Sequence, residues 1–269
     1  MRADAEPKLA LLESMVREVG QQLRAREATG VRAKGKLDLV SDLDFWAESE
    51  VTRFLAEQYP GDLLLSEESA NSVAYGERIW ILDPLDGTVN RTSGIPLYAL
   101  SLALLENGHP QLAFIYEPEH DELYFAERGR GATLNDQTLT LQEQSGSGIA
   151  LTSQVVRRLC ERSPENLVEL ITSHGRLRGL GAQALHLAYV AAGRLSLAVS
   201  LETKLWDNAA GALLVTEAGG RYTDLDGRDP FPIVEQDEAL RGAANGCIAA
   251  SPEAFERIFP LLAALGSTQ

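Results

Sequence analysis

Arg78-Ile79-Trp80-Ile81-Leu82-Asp83-Pro84-Leu85-Asp86-Gly87-Thr88 joins an apolar run to two carboxylates and a Gly-Thr pair. Successive large apolar residues, bounded by charge and proline, read as a short buried strand. Asp83 and Asp86 then leave the end of that strand, and Gly87-Thr88 is placed to open a helix with its backbone N–H groups free. Hard cations take carboxylate oxygens, and phosphate takes exposed N–H groups at a helix start. One segment thus offers both halves of a metal-assisted phosphate chemistry.

Working back towards the N-terminus, Leu63-Leu64-Leu65 reads as a second buried strand, ending in Glu67-Glu68. Ser41 is a plausible N-cap for a helix that stops near Tyr59-Pro60-Gly61. Before it, Leu9, Leu12, Val16, Val19 and Leu23 recur at helical spacing, so Pro7 to about Ala28 reads as an amphipathic helix. On the other side, Tyr98 to Leu105 and Gln111 to Tyr116 flank Asn107-Gly108, a strong hairpin signal. Glu122 to Glu127 and Thr138 to Leu141 continue the sheet, with turns at Gly129-Arg130-Gly131 and Asn135-Asp136.

The polar stretch Gln142 to Gly148 marks the expected boundary, dividing the chain into 1–143 and 144–269. Beyond it the pattern alternates: a strand near Ile149, a helix from Ser153, a strand near Leu170, a helix from Gly181 to Ala192 and a strand from Leu195 to Val199. A helix from Asp207 ends at Gly219-Gly220, and a strand near Cys247 precedes a helix from Ser251. The expected fold class is mixed α/β, with an α+β first half and an α/β second half.

The chain has 269 residues, 45% hydrophobic and 23% charged, the composition of an ordinary globular protein. No secretory signal and no run of 18 apolar residues is seen, so a soluble cytoplasmic protein is expected. Cys160 and Cys247 suggest neither a disulfide framework nor a zinc site. A net charge of −15 argues against nonspecific nucleic-acid binding.

Four places supply acids at element ends: Glu67-Glu68, Asp83, Asp86 and Asp207. Each has an innocent reading: Glu67 as a loop acid, Asp83 and Asp86 as turn residues, Asp207 as a helix N-cap. Together they mean more. Two carboxylates about 4 Å apart repel by roughly 4 kcal/mol at an effective dielectric near 20, so a cluster raises its own pKa values or takes up cations. With His109, His120, His174 and His186 scattered, all-oxygen ligation favours Mg²⁺, Mn²⁺ or Ca²⁺ over zinc.

The chain resembles the inositol monophosphatase family of magnesium-dependent, lithium-sensitive sugar phosphatases. Asp38-Leu39-Val40-Ser41-Asp42-Leu43-Asp44 is similar to the family's D-x-V-T-x-x-D, Ser66-Glu67-Glu68-Ser69 to its G-E-E-S, and Asp83 to Thr88 to its D-P-[IL]-D-G-T. Trp206-Asp207-Asn208-Ala209-Ala210-Gly211, continuing to Glu217-Ala218-Gly219-Gly220, is similar to W-D-x-A-A-G…E-A-G-G. The resemblance implies a layered αβαβα sandwich and a first metal held by Glu67, Asp83 and the Leu85 carbonyl. It implies a second metal on Asp83, Asp86 and Asp207, and a third beside Glu67, all Mg²⁺, with Mn²⁺ able to substitute. Thr88, hydrogen-bonded to Asp44, would with Glu67 orient the attacking water, and Gly87 and Thr88 N–H groups would hold the phosphate.

Gly181, Ala182 and Gln183 would approach the leaving group. The family's inositol-binding glutamate position is Ser200 here; Glu202, two residues on, is the candidate replacement, and Lys204 adds a cation nearby. The lysine of the family's mobile loop is Lys34 or Lys36. By resemblance the first substrate is myo-inositol 1-phosphate. The alternatives are fructose 1,6-bisphosphate, histidinol phosphate, and 3′-phosphoadenosine 5′-phosphate or NADP(H); a non-catalytic regulatory protein is the competing class. A homodimer is expected on the same ground.

Two other matches are weaker. Gly179-Leu180-Gly181-Ala182-Gln183-Ala184, with Glu202 beyond, fits a dinucleotide fingerprint, but the polar run Ser173 to Arg178 offers no strand before it. Asp224 to Glu235 imitates a calcium loop but has Asp229 where glycine is required, so it reads as a surface turn.

Overall fold

The computed structural model describes residues 8–35, 38–69, 75–141 and 148–266. The expected boundary at residues 142–147 lies outside them, as does Lys36. In chain order the first half runs α1 (Leu9–Ala25), β1 (Arg32–Gly35), β2 (Asp38–Val40), α2 (Asp42–Gln58), β3 (Leu63–Ser66), β4 (Arg78–Asp86), α3 (Thr88–Thr92), β5 (Ala99–Glu106), β6 (His109–Glu117), β7 (Glu122–Glu127), β8 (Gly131–Leu134) and β9 (Gln137–Leu139). The second half runs β10 (Gly148–Leu151), α4 (Ser153–Arg162), α5 (Pro164–Glu169), β11 (Arg176–Arg178), α6 (Gln183–Ala191), β12 (Leu195–Ser200), α7 (Leu205–Glu217), β13 (Arg221–Thr223), β14 (Cys247–Ala250), α8 (Pro252–Ile258) and α9 (Ala263–Gly266).

Strands β3 to β9 form a seven-stranded sheet in chain order, parallel at β3–β4 and antiparallel beyond. The second sheet has order β11-β10-β12-β14-β13, with β10 parallel to both neighbours. Side chains alternate between the two faces along β5. In β5, Leu100, Leu102 and Leu104 join the cluster built on α1 and α2, while Ala99, Ala103 and Leu105 face α6 and α7. The second sheet shows α6 and α7 its inner face, and Leu197, Val199, Ile248 and Ala250 pack outward on α4 and α8. The layers are therefore α1/α2, seven strands, α6/α7, five strands, and α4/α5/α8: an αβαβα sandwich.

Ser41 caps α2, accepting from the Leu43 N–H, and the hairpin turn at Asn107-Gly108 takes positive φ at both residues. Three expectations need correction. The segment near Leu170 is helical: Pro164 starts α5, Leu167 and Leu170 are buried one turn apart, and a π turn covers Leu170–His174. Its run of Val168, Ile171 and Thr172 looked like a strand. A strand does precede Gly179, namely β11, whose three residues are all exposed at a sheet edge. Helix α6 begins at Gln183, so Gly181 and Ala182 are its approach.

Among the described residues, no helix is long and apolar enough to cross a membrane.

Candidate active site

Strand parity aims the acids. Leu63 and Leu65 of β3 lie against the inner cluster, and the same alternation carries Glu67 inward. Ile79 and Ile81 of β4 face inward too, which sends Asp83 the same way. Strand β4 does not end at Leu82 as expected; it runs on to Asp86 through a bulge, where Asp83 pairs with Ser101 but Asp86 pairs with Ala99. Without that bulge, residues three apart would face opposite sides. With it, Leu85 turns to the α1/α2 cluster and Asp86 faces α6, accepting from the Ala184 N–H at 2.6 Å.

From the opposite layer α7 brings Asp207. It is not the N-cap: Lys204 holds that place, and Asp207 sits at the third helical position, accepting from the Lys204 N–H at 2.6 Å. Its carboxylate thus closes the helix end while facing Asp83 across the layer. Carboxylate oxygens of Glu67, Asp83 and Asp207 all lie within 4.8 Å of one another.

Burial first, and the neighbouring acids second, hold Asp83 and Asp86 well above the usual carboxylate range. The same causes push Asp207 up to about 7. Charge confined this way calls for a counter-charge. Lys34 supplies part of it, at 2.9 Å from Glu67 Oε1 and 2.6 Å from Glu68 Oε1. An all-oxygen donor set, crowded and desolvated, suits a hard divalent cation, and these residues fit one.

Thr88 Oγ1 donates to Asp44 Oδ1 at 2.7 Å and lies 3.0 Å from the Leu85 carbonyl. Asp44 is itself fixed, its Oδ2 accepting from the Ser41 N–H and hydroxyl. Gly87, with φ of 93°, turns the chain from β4 into α3. A Cβ there would stand 3.0 Å from the Leu97 carbonyl, so the turn requires glycine. Leu85, Gly87, Thr88 and the acids Glu67, Asp83, Asp86 and Asp207 line a cavity of about 280 Å³ that also touches Gly181, Glu202 and Lys204.

A second cavity of about 470 Å³ adjoins it, sharing Asp86, Gly181, Glu202 and Asp207. Gly179, Ala182, Gln183, His186, Leu151, Thr152, Ser153 and Thr203 complete its lining. Glu202 Oε2 accepts from the Thr152 hydroxyl at 2.8 Å. Ser200 is fully buried against Thr203 and lines neither cavity. Lys204 stays on the acid side, its Nζ 4.9 Å from the Trp206 ring centre. Thr152 and Ser153 escaped the sequence reading. Their signal was the strand order: β10 lies between β11 and β12, and the crevice at the carboxyl ends of such strands is where ligands bind.

The sequence model described as the inositol monophosphatase family matches residues 4–266. An inositol-1-monophosphatase of Mesorhizobium japonicum is 41% identical over 236 residues, 84% of this chain and 83% of its own. The Nus factor SuhB of Xylella fastidiosa is 36% identical over 233 residues, 83% and 84% of the two chains. A solved IMPase/NADP phosphatase complexed with Mg²⁺ and phosphate superposes with a TM-score of 0.79 at 26% identity, covering 97% of this chain and 95% of that one.

Proposed function

The chain belongs to the inositol monophosphatase family, and we propose that it is a Mg²⁺-dependent phosphomonoesterase acting on a small phosphorylated alcohol. The observation that carries this reading is the convergence of Glu67, Asp83 and Asp207 within 4.8 Å, beside the Thr88–Asp44 hydrogen bond. A binding protein has no use for a hydroxyl–carboxylate pair next to a cation-type acid cluster. That pairing favours catalysis over a purely regulatory role, although several relatives are named Nus factors.

Glu67, Asp83, Asp86, Asp207 and the Leu85 carbonyl would hold the cations, which when bound acidify water and neutralise phosphoryl charge. Thr88, its own proton directed at Asp44 Oδ1, has lone pairs free to accept a proton from the attacking water. As it accepts that proton, its own passes to Asp44. Glu67 steadies the same water from the other side of the cavity. Gly87 and Thr88 N–H groups hold phosphate oxygens in line with the attack.

The leaving alcohol would occupy the larger cavity, against Gly181, Ala182, Gln183 and Glu202. Its lining has hydroxyls and the carboxylates of Asp86, Glu202 and Asp207 but neither lysine nor arginine. Such a wall suits a polyol and offers nothing to a second phosphate. Myo-inositol 1-phosphate is therefore the first substrate, ahead of fructose 1,6-bisphosphate, histidinol phosphate and the phosphoadenosine or NADP esters. We take the enzyme to work as a homodimer in the cytoplasm.

The test is phosphate release from these esters with Mg²⁺ or Mn²⁺. Release from myo-inositol 1-phosphate above the bisphosphates is expected; no release from any ester would refute the proposal.

A further inference from the structure

The layer of α6 and α7 is mostly alanine and leucine, yet three polar side chains are sunk into it. His186 is 5% exposed, Gln183 6% and Asn208 0%. Burying such groups costs stability unless each is paired, and apolar residues would fill the space as well. Here the pairing is complete and its direction is fixed. The Leu180 N–H donates to His186 Nε2 at 3.1 Å, so that nitrogen carries no proton. The ring proton is then on Nδ1, 3.1 Å from Gln183 Oε1. Gln183 Nε2 in turn donates to Asn208 Oδ1 at 3.2 Å and Cys247 Sγ at 3.4 Å. Asn208 Nδ2 donates to Thr203 Oγ1 at 3.0 Å and to the Asn245 carbonyl at 2.6 Å.

The two ends of this chain belong to the two walls of the 470 Å³ cavity. Gly179 and Gly181 flank Leu180 on one wall; Glu202 and Thr203 form the other. The Leu180 carbonyl is held as well, by Asn90 Nδ2 at 2.6 Å, so His186 and Asn90 fix the two successive peptides on either side of the Leu180 Cα. Gly181, with φ of 75° and its Cα side against the Asn90 amide, has no room for a side chain there. A fully satisfied polar network in a low-dielectric layer acts as a geometric constraint.

We propose that His186 is a positioning residue: through Gln183 and Asn208 it locks the Gly179–Gly181 wall to the Glu202–Thr203 wall and so sets which alcohol the cavity accepts. The proposal rests on the phosphatase reading of this site. It concerns binding of the leaving group and leaves the water-orienting groups untouched.

The experiment compares wild type, His186→Phe and His186→Gln on the ester that wild type hydrolyses fastest, with inorganic phosphate as a competitive probe of the acid side alone. His186→Phe removes both ring contacts and should raise KM roughly tenfold, while kcat and the phosphate inhibition constant stay within about twofold. His186→Gln keeps one acceptor and one donor and should recover most of the KM. An unchanged KM in the Phe variant, equal losses in both variants, or a parallel shift in the phosphate constant would each overturn the proposal. If the Phe variant does not fold, ¹⁵N NMR of the wild type decides: the Nδ1–H tautomer of His186 supports it and the Nε2–H tautomer overturns it. Wild type without activity on any ester would instead sink the phosphatase reading.

Discussion

Thr88 Oγ1 and Asp44 Oδ1, 44 residues apart, stand 2.7 Å from one another because a bulge and a glycine turn bring the start of α3 back over the start of α2. Asp44 is 1% exposed, and both hydrogen bonds to its second oxygen come from the helix cap Ser41. The pair is preorganised, so its loss should fall on kcat. Thr88→Val keeps the shape but deletes the hydroxyl and should lower kcat by about 10²- to 10⁴-fold, whereas Thr88→Ser should retain most of it. Phosphate release under saturating Mg²⁺ measures both, and a Val variant with wild-type kcat would remove Thr88 from the mechanism.

Asp86 faces inward only because of the bulge, and one of its oxygens is already spent on the Ala184 N–H. Asparagine can keep that acceptor while losing the charge. Asp86→Asn should therefore abolish nearly all Mg²⁺-dependent phosphate release with the fold intact. Because burial and nearby acids raise the Asp86 carboxyl, its ionised form disfavours the folded state at neutral pH. The metal-free variant should melt no lower than metal-free wild type; a lower melting temperature at pH 7 would contradict this account.

Much of this arrangement was legible in the chain. Leu63-Leu64-Leu65 and Ile79-Trp80-Ile81-Leu82 read as buried strands that deliver Glu67 and Asp83 to one sheet edge, and Ser41 announces its cap. The bulge left no such mark: Asp83-Pro84-Leu85-Asp86 reads equally well as a turn, and only pairing with Ala99 and Ser101 distinguishes the two. Asp207 was misplaced by three positions because Lys204 at the N-cap lacks the short oxygen-bearing side chain that normally marks it. Leu170 misled through its β-branched neighbours. Strand β11 was hidden because an exposed edge strand carries no apolar run. The His186–Gln183–Asn208 network was invisible for another reason: its members are ordinary polar residues until folding brings α6 and α7 together.

The acid cluster should make stability depend on cations. Mg²⁺ held by the folded site and not by the unfolded chain would raise the melting temperature, with about 2.7 kcal/mol gained at a hundred times Kd. Asp83→Asn removes the acid at the centre of the trio and should erase most of that gain. A thermal melt with and without Mg²⁺ is sufficient; equal gains in both proteins would mean the ion binds elsewhere.

Gly211, part of the Trp206 to Gly211 motif, does no chemistry in this account. A Cβ on it would lie 2.3 Å from the Leu187 side chain, where α6 crosses α7. Gly211→Ala should therefore destabilise by about 1–3 kcal/mol through overpacking, despite alanine's better helix propensity. Urea unfolding measures it, and a stabilised variant would show that α6 can yield.

Burial pushes the His186 ring down to about 4. A histidine whose folded pKa lies below its unfolded value near 6.5 contributes stability at neutral pH that is lost as pH falls from 6.5 through 4. The full difference is about 3 kcal/mol, at 1.36 kcal/mol per unit. Asp86, Glu202 and Asp207 border the same cavity. Asp86 and Asp207, raised by burial, act in the opposite sense: their protonation favours the folded state as pH falls. Comparing wild type with His186→Gln cancels those shared terms. The stability difference between the two proteins should shrink or reverse by about 3 kcal/mol between pH 7 and pH 4, read from urea midpoints at each pH. A difference independent of pH would mean that His186 is not held as a neutral acceptor for Leu180.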